Sequence, residues 1–161
     1  MTTETQGGQR TEPAHRLGAA SISQDLGFLL AKLHAAGSVL NNRALAAFDL
    51  KERSYSILIL ANTGLEPTQR EMADFLSLDP SQIVALVDEL EKRGLVVRAP
   101  GKQDRRAKTV TATPRGEKLL QEATEAAQRA EAEALRGLAA DESAQLKALL
   151  QKALWGTEPG E

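Results

Sequence analysis

Two groups of residues in this 161-residue chain have the types and spacing to meet a polyanion. The first is a basic island. Between Lys92 and Lys118, nine lysines and arginines (Lys92, Arg93, Arg98, Lys102, Arg105, Arg106, Lys108, Arg115 and Lys118) are opposed only by Asp104 and Glu117, a local net charge of +7. The rest of the chain carries −9, so the overall −2 conceals a strongly polarised molecule. Such an island points to a local contact with phosphates, to be made by Lys102, Arg105 and Lys108, although a solvated charged hairpin would carry the same residues. The second group is Ser81 and Gln82, immediately after Asp79–Pro80. At the front of a helix their side chains can hydrogen-bond base edges in a DNA major groove, and the free N–H groups of that helix end can bind phosphate.

Other chemistries find little support. There is no cysteine, which excludes disulfides, thiolate metal sites and a thiol redox switch. The two histidines are His15, in a polar lead-in, and His34, which stands alone, so neither starts a metal site. No glycine-rich phosphate loop, nucleophile elbow or histidine–carboxylate cluster is present. The chain therefore reads as a non-enzyme without a cofactor. The first twenty residues lack the apolar run of a signal peptide, and no stretch reaches the roughly 18 apolar residues of a membrane span. The expectation is a cytoplasmic protein with no membrane partner.

The elements that must position these residues follow from periodicity. Residues 1–20 read as a disordered tail, 21–156 as one unit and 157–161 as a second tail. A first amphipathic helix is expected from about Ser21 to Phe48, with Ile22, Leu26, Leu29, Leu30, Leu33 and Leu40 on its apolar stripe and Ser21 or Ser23 as cap. A second, from Glu52 to Ala61, is apolar nearly all round and so belongs in the core. After Glu66–Pro67–Thr68 comes a short helix carrying Met72, Ala73, Phe75 and Leu76. Asp79 as cap and Pro80 at the first position then open a fourth, ended by Gly94. Alternating Val and Thr in Leu95–Arg98 and Lys108–Thr113 read as two strands joined by the basic connector 100–106. Thr113–Pro114 starts a long, Ala-rich fifth helix, and Asp141 is the expected cap of a sixth ending near Trp155. The predicted fold is mainly α with a small β-hairpin wing: a winged helix-turn-helix lobe, about 52–113, flanked by long dimerisation helices, about 21–48 and 114–155. With aromatics at only 3%, long Ala-rich faces of this kind need a second copy of the chain to finish their burial.

The stretch from Gln69 to Leu76, and that from Leu78 through Asp79–Pro80–Ser81–Gln82–Ile83 to Leu90–Glu91–Lys92–Arg93–Gly94–Leu95–Val96, resemble the helix-turn-helix of MarR-family regulators. Asp104–Arg105–Arg106, followed by a strand and Thr113–Pro114–Arg115–Gly116, is similar to that family's wing and the start of its next helix, and the likeness runs through residues 22–155. The resemblance implies an obligate homodimer that binds double-stranded DNA at a pseudo-palindromic operator, the first, fifth and sixth helices forming the dimer. It also implies that Asp104 braces Arg106, that Arg106 enters the minor groove, and that Arg105 contacts phosphate. A small aromatic effector that releases DNA is implied as well. Its wall would be Leu30, Ile59 and Met72 with His34 and Tyr55 as polar groups; alternatively His34 is a half-exposed helix residue and Tyr55 a core ring with a wet hydroxyl.

Three residues depart from the family pattern. Ala85 and Glu89 stand where basic residues are common, which with Asp88 and Glu91 leaves an acidic recognition helix. Base readout then rests on Ser81 and Gln82, with the wing and DNA shape contributing more. Asp49 stands where glycine usual for the family would be. The expected function is a transcriptional repressor released by a small molecule. The acidic helix leaves open a second reading, a winged-helix dimerisation and protein-interaction platform with weak or no DNA binding.

Overall fold

The structure is a computed structural model that describes residues 17–101 and 107–156. The chain separates into two compact units at Ala36. In the first, a 3-10 turn at Ser21–Gln24 is followed by Asp25 in extended conformation, and α1 (Leu26–Leu45) begins. The cap is therefore Asp25 rather than Ser21 or Ser23: its carboxylate accepts the Phe28 N–H at 2.7 Å, satisfying a donor that has no partner inside the helix. At its other end α1 tightens into a 3-10 turn, Ala46–Phe48. The single helix expected over 21–48 is thus three pieces. Asp49 then adopts a left-handed conformation, φ 52°. Asp is one of the few side chains that tolerate this conformation.

The second unit holds the lobe. Lys51 offers no side-chain cap to α2 (Glu52–Ala61). Instead Asn42 on α1 accepts the Glu52 N–H at 3.0 Å, while the Ser38 hydroxyl donates to the Glu52 carboxylate. These bonds fix the corner between the second half of α1 and α2. Next come α3 (Gln69–Leu76), α4 (Pro80–Lys92), β1 (Val96–Pro100), β2 (Lys108–Ala112), α5 (Pro114–Ala134) and α6 (Ala140–Trp155). Asp79 and Thr113 cap α4 and α5 as the sequence predicts. α6 differs: it opens at Ala140, and Glu142 accepts the Ala139 N–H at 2.8 Å, so Asp141 lies in the first turn instead of capping. The glutamate reaches back as the third helical residue of a capping box does, while Ala139 has no side-chain acceptor to return to the Glu142 N–H.

The core sits under the lobe, with Leu45, Ile57, Leu58, Met72, Ile83, Val87, Leu90 and Val110 fully buried. β1 and β2 pair antiparallel, Val96 opposite Ala112 and Pro100 opposite Lys108. A third segment, not legible as a strand, joins them: Thr68 bridges to Thr109, and Pro67 O accepts the Val110 N–H at 2.9 Å. The hairpin is thereby tied to the entrance of α3. Gly116 makes the other tight junction, with α5 so close to the start of β1 that an added Cβ would stand 2.0 Å from Leu95 O. By contrast, α6 has no fully buried residue. Leu149, Leu154 and Trp155 on α6 are exposed, as are Leu26 and Leu29 on α1.

Candidate nucleic-acid interface

The interface is built outward from α4. Ile83, Val87 and Leu90 are buried, which turns Ser81, Gln82, Val84, Ala85, Asp88 and Glu89 to the surface as one stripe. Both flanks of the helix-turn-helix are held by caps. Thr68 and Glu71 form a reciprocal capping box on α3, the Glu71 carboxylate accepting the Thr68 N–H at 2.7 Å and Thr68 Oγ1 accepting the Glu71 N–H at 3.2 Å. The T-x-x-E spacing that announces it is present in the sequence. Ser77 takes a left-handed conformation at the end of α3, φ 52°, and makes the turn. Asp79 then accepts from both the N–H and the hydroxyl of Ser81. The hydroxyl proton of Ser81 is thus committed within the chain, and only its lone pairs face outward. Gln82 has no side-chain hydrogen bond among the described residues.

The cap bonds hold the Asp79 carboxyl below the usual carboxylate range, through the Ser81 hydroxyl first and its N–H second. Glu71 is lowered likewise, by the Thr68 N–H and then its hydroxyl. A folded-state pKa below the unfolded one means that this stabilisation is complete above the ordinary carboxylate pKa, about 4, and is lost as pH falls through the lower folded value. Acid titration should therefore weaken the helix-turn-helix below about pH 4. Circular dichroism should show a shallower loss in the double variant Asp79→Asn, Glu71→Gln, whose amides do not titrate.

The acidic side of α4 has internal partners that the sequence did not reveal. Arg98, on β1 and only 18% exposed, donates from Nη1 to Glu91 and from Nη2 to Asp88. Its Nε donates to Gln69 Oε1 on α3 at 2.8 Å, and its backbone N–H to Glu91 Oε1 at 3.1 Å. One guanidinium thus joins wing, recognition helix and α3. Arg93, at the C-terminal end of α4, donates to Asp49 O at 2.6 Å and Phe48 O at 3.0 Å, with Glu89 4.0 Å away. It supplies partners to carbonyls at the end of the 3-10 turn, where a cation is favoured. No spacing rule announces the Arg98 contacts or those of Arg93 with Phe48 and Asp49, because they join different elements; only Arg93–Glu89 has the i, i+4 spacing of a helix pair.

Among the expected DNA contacts, Ser81, Gln82 and Lys108 are exposed on α4 and β2. Lys102, Asp104, Arg105 and Arg106 lie outside the described residues; the strands are still joined where description stops, Gly101 N–H donating to Ala107 O at 2.9 Å. The expected ligand residues are dispersed in character. Leu30 and His34 are exposed in the first unit. In the second unit, Ile59 is 40% exposed, Met72 is fully buried in the core, and the half-buried Tyr55 lies 3.2 Å from Thr124 Oγ1 through its hydroxyl. Met72 is a core side chain here because the amphipathic stripe of α3 turns it inward with Ala73. An open cavity of about 690 Å³ lies along α5 between Glu117 and Gln128, with Asn62 at the end of α2; none of the five lines it.

The MarR family model matches residues 50–108, the lobe from the end of the 3-10 turn to β2. An X-ray structure of a MarR-family transcriptional regulator from Rhodococcus sp. RHA1 is 38% identical, superposes with a TM-score of 0.79, and is matched over 86% of this chain and 99% of that one. This chain belongs to the MarR family. It is a winged helix-turn-helix, DNA-binding transcriptional regulator of a non-enzymatic family, mainly helical, with a two-stranded antiparallel wing and long N- and C-terminal helices. CouR from Rhodococcus jostii RHA1, whose structure holds p-coumaroyl-CoA, is also 38% identical, with a TM-score of 0.76 over 88% of this chain and 100% of that one. A mutant MarR from E. coli complexed with operator DNA is 28% identical, with a TM-score of 0.69 over 80% of this chain and 93% of that one. Homologues of this MarR-family chain thus bind operator DNA and small ligands. Among the described residues no helix is long and apolar enough to cross a membrane.

Proposed function

We propose that this MarR-family chain works in the cytoplasm as a homodimer that binds a pseudo-palindromic operator and represses transcription until a small aromatic ligand releases it. Residues 21–156 form one functional unit in this reading, with the lobe at about 52–113. The observation that carries it is the outward stripe of α4 beside the basic hairpin, in a lobe whose relative from E. coli was crystallised on operator DNA. The dimer is supported by α6, a 16-residue helix with nothing fully buried, which is marginal in water unless another surface covers its apolar side. Trp155, Leu149 and Leu154 are the side chains to be covered.

In this complex Gln82 and Ser81 meet base edges, and Lys102, Arg105 and Lys108 neutralise phosphates. Arg106, braced by Asp104, enters the minor groove. The interaction-platform reading drew its support from the acidic recognition helix. With Asp88 and Glu91 both bound to Arg98, that support falls away.

The test is a titration of the full chain against its own upstream DNA at two salt concentrations. For roughly 6–10 phosphate contacts, affinity should fall by about 10³–10⁵ between 50 and 200 mM salt. Arg106→Ala should weaken binding roughly ten- to hundredfold while sedimentation still reports a dimer. A dimer that binds normally after this change would refute the wing assignment. For the effector, p-coumaroyl-CoA is the first compound to add, since a relative at 38% identity holds it. Release of DNA by it, blunted in Tyr55→Phe, would support sensing; no thermal shift and no change in DNA affinity with aromatic acids or their CoA thioesters would count against it.

A further inference from the structure

We infer that the recognition helix reads A·T pairs, with Gln82 addressing adenine and the exposed Val84 and Ala85 packing on thymine methyl groups. This inference rests on the DNA-binding reading above and concerns which base pairs the operator presents. Four observations carry it. On the first two turns of α4 the outward side chains are Ser81, Gln82, Val84 and Ala85, and Val84 is 45% exposed although it is a β-branched hydrophobe on a helix surface. Ser81 has already given its proton to Asp79, so it cannot donate to a base while the cap is formed. Gln82 is therefore the remaining two-sided hydrogen-bonding group on that front. The acidic residues further along are engaged, Asp88 and Glu91 with Arg98, and Glu89 lies beside Arg93.

What the helix lacks is equally informative. No arginine or lysine stands on α4 before Lys92 in its last turn, so the commonest bidentate reader of guanine is missing from the face that meets the bases. A glutamine amide matches the paired N6 donor and N7 acceptor of adenine in the major groove. Val and Ala side chains offer only apolar surface, and the one apolar group in the major groove is the thymine 5-methyl. An operator rich in guanine under this helix would find no paired cationic donor for its N7 and O6 acceptors. A thymine there buries its methyl against Val84 instead.

The experiment starts from a random-sequence duplex DNA pool, from which the full chain selects its site. Each thymine of the selected site is then replaced by deoxyuridine, which deletes the 5-methyl and keeps every hydrogen-bonding group. We expect one or two thymines per half-site at which this weakens binding about fourfold, the factor for losing one buried methyl-sized group. Val84→Ala should bind the thymine and deoxyuridine sites almost equally at one of those positions. Its surface location keeps the fold out of the comparison. Gln82→Ala should relax the selection at one adenine by roughly tenfold. A specific site at which every methyl is silent, or one governed by guanine N7 under α4 with Val84→Ala without effect, overturns the inference and leaves the regulator reading standing. No saturable binding to any member of the pool at low salt overturns both.

Discussion

Gly116→Ala should destabilise the protein by on the order of 3 kcal/mol or more, the range reached when a core has no room for an added group. The Cβ would stand 2.0 Å from the carbonyl oxygen of Leu95 and 3.3 Å from Leu58 Cδ1. The first neighbour is backbone and cannot rotate away. It is also committed, because Leu95 O accepts the Thr113 N–H at 3.0 Å, while the Thr113 hydroxyl donates to Gly94 O at 2.6 Å and accepts the Gly116 N–H at 3.1 Å. Making space for one methyl therefore means moving the start of β1 away from the cap of α5. The change should appear as a lower urea midpoint at matched protein concentration. Gly137→Ala is the control, since a Cβ there meets nothing within 4 Å and the midpoint should scarcely move. Equal midpoints for the two variants would show that the junction is looser than it stands in this structure.

The second large effect is expected at Arg98, and it should appear in DNA affinity more than in stability. Arg98→Ala leaves Asp88 and Glu91 without their cation on the helix that approaches DNA. It also cuts the bond to Gln69 that links β1 to α3. Asp88 and Glu91 are half exposed, so water screens them and the loss in folding stability should be modest, about 1 kcal/mol. Facing phosphates they are not neutral bystanders. Like charges brought together on binding are strongly unfavourable, and affinity at low salt should fall roughly tenfold or more. Adding Asp88→Asn and Glu91→Gln to Arg98→Ala should restore most of that loss by removing the repulsion. If the triple variant binds as poorly as Arg98→Ala alone, Arg98 acts through the placement of the wing and not through charge. Unchanged binding in Arg98→Ala would reject both roles.

These two sites place the functional surface at the meeting of several segments. The wing is tied to α3 by Thr68–Thr109 and by Gln69–Arg98, to α4 by Arg98, and to α5 by Leu95–Thr113. Arg93 then joins the far end of α4 to Phe48 and Asp49.

Much of the lobe is written in local runs of residues. Helix boundaries at Asp79–Pro80 and Thr113–Pro114 were legible because capping and proline preference are local: the residue that starts the helix also satisfies its first N–H groups. The buried face of α4 was legible from periodicity, and the strands of the wing from Val–Thr alternation; α2, apolar nearly all round, showed no face in the sequence, and it buries Ser54 while Ile59 stays exposed. The recognition of the family rested on such local runs, and the superposition with its relatives agrees. Local rules failed where a distant residue did the work. Asn42 caps α2 from ten residues away, and Pro67–Thr68 adds a third segment to the hairpin.

The acidic residues of α4 acquire their meaning on folding. Read along the chain, Asp88, Glu89 and Glu91 are a negative surface unsuited to DNA. In space, Arg98 arrives from a strand to hold two of them, and Arg93 lies beside the third. It was also the fold that withdrew the Ser81 proton into a cap and left Gln82, Val84 and Ala85 as the outward face. The physical reason is one of range. Helix and strand formation depend on neighbours within about four residues, which sequence displays. The charge that a surface presents also depends on ion pairs between elements brought together by folding: Glu89–Arg93 has the i, i+4 spacing of a helix pair, but the Arg98 pairs cross from strand to helix.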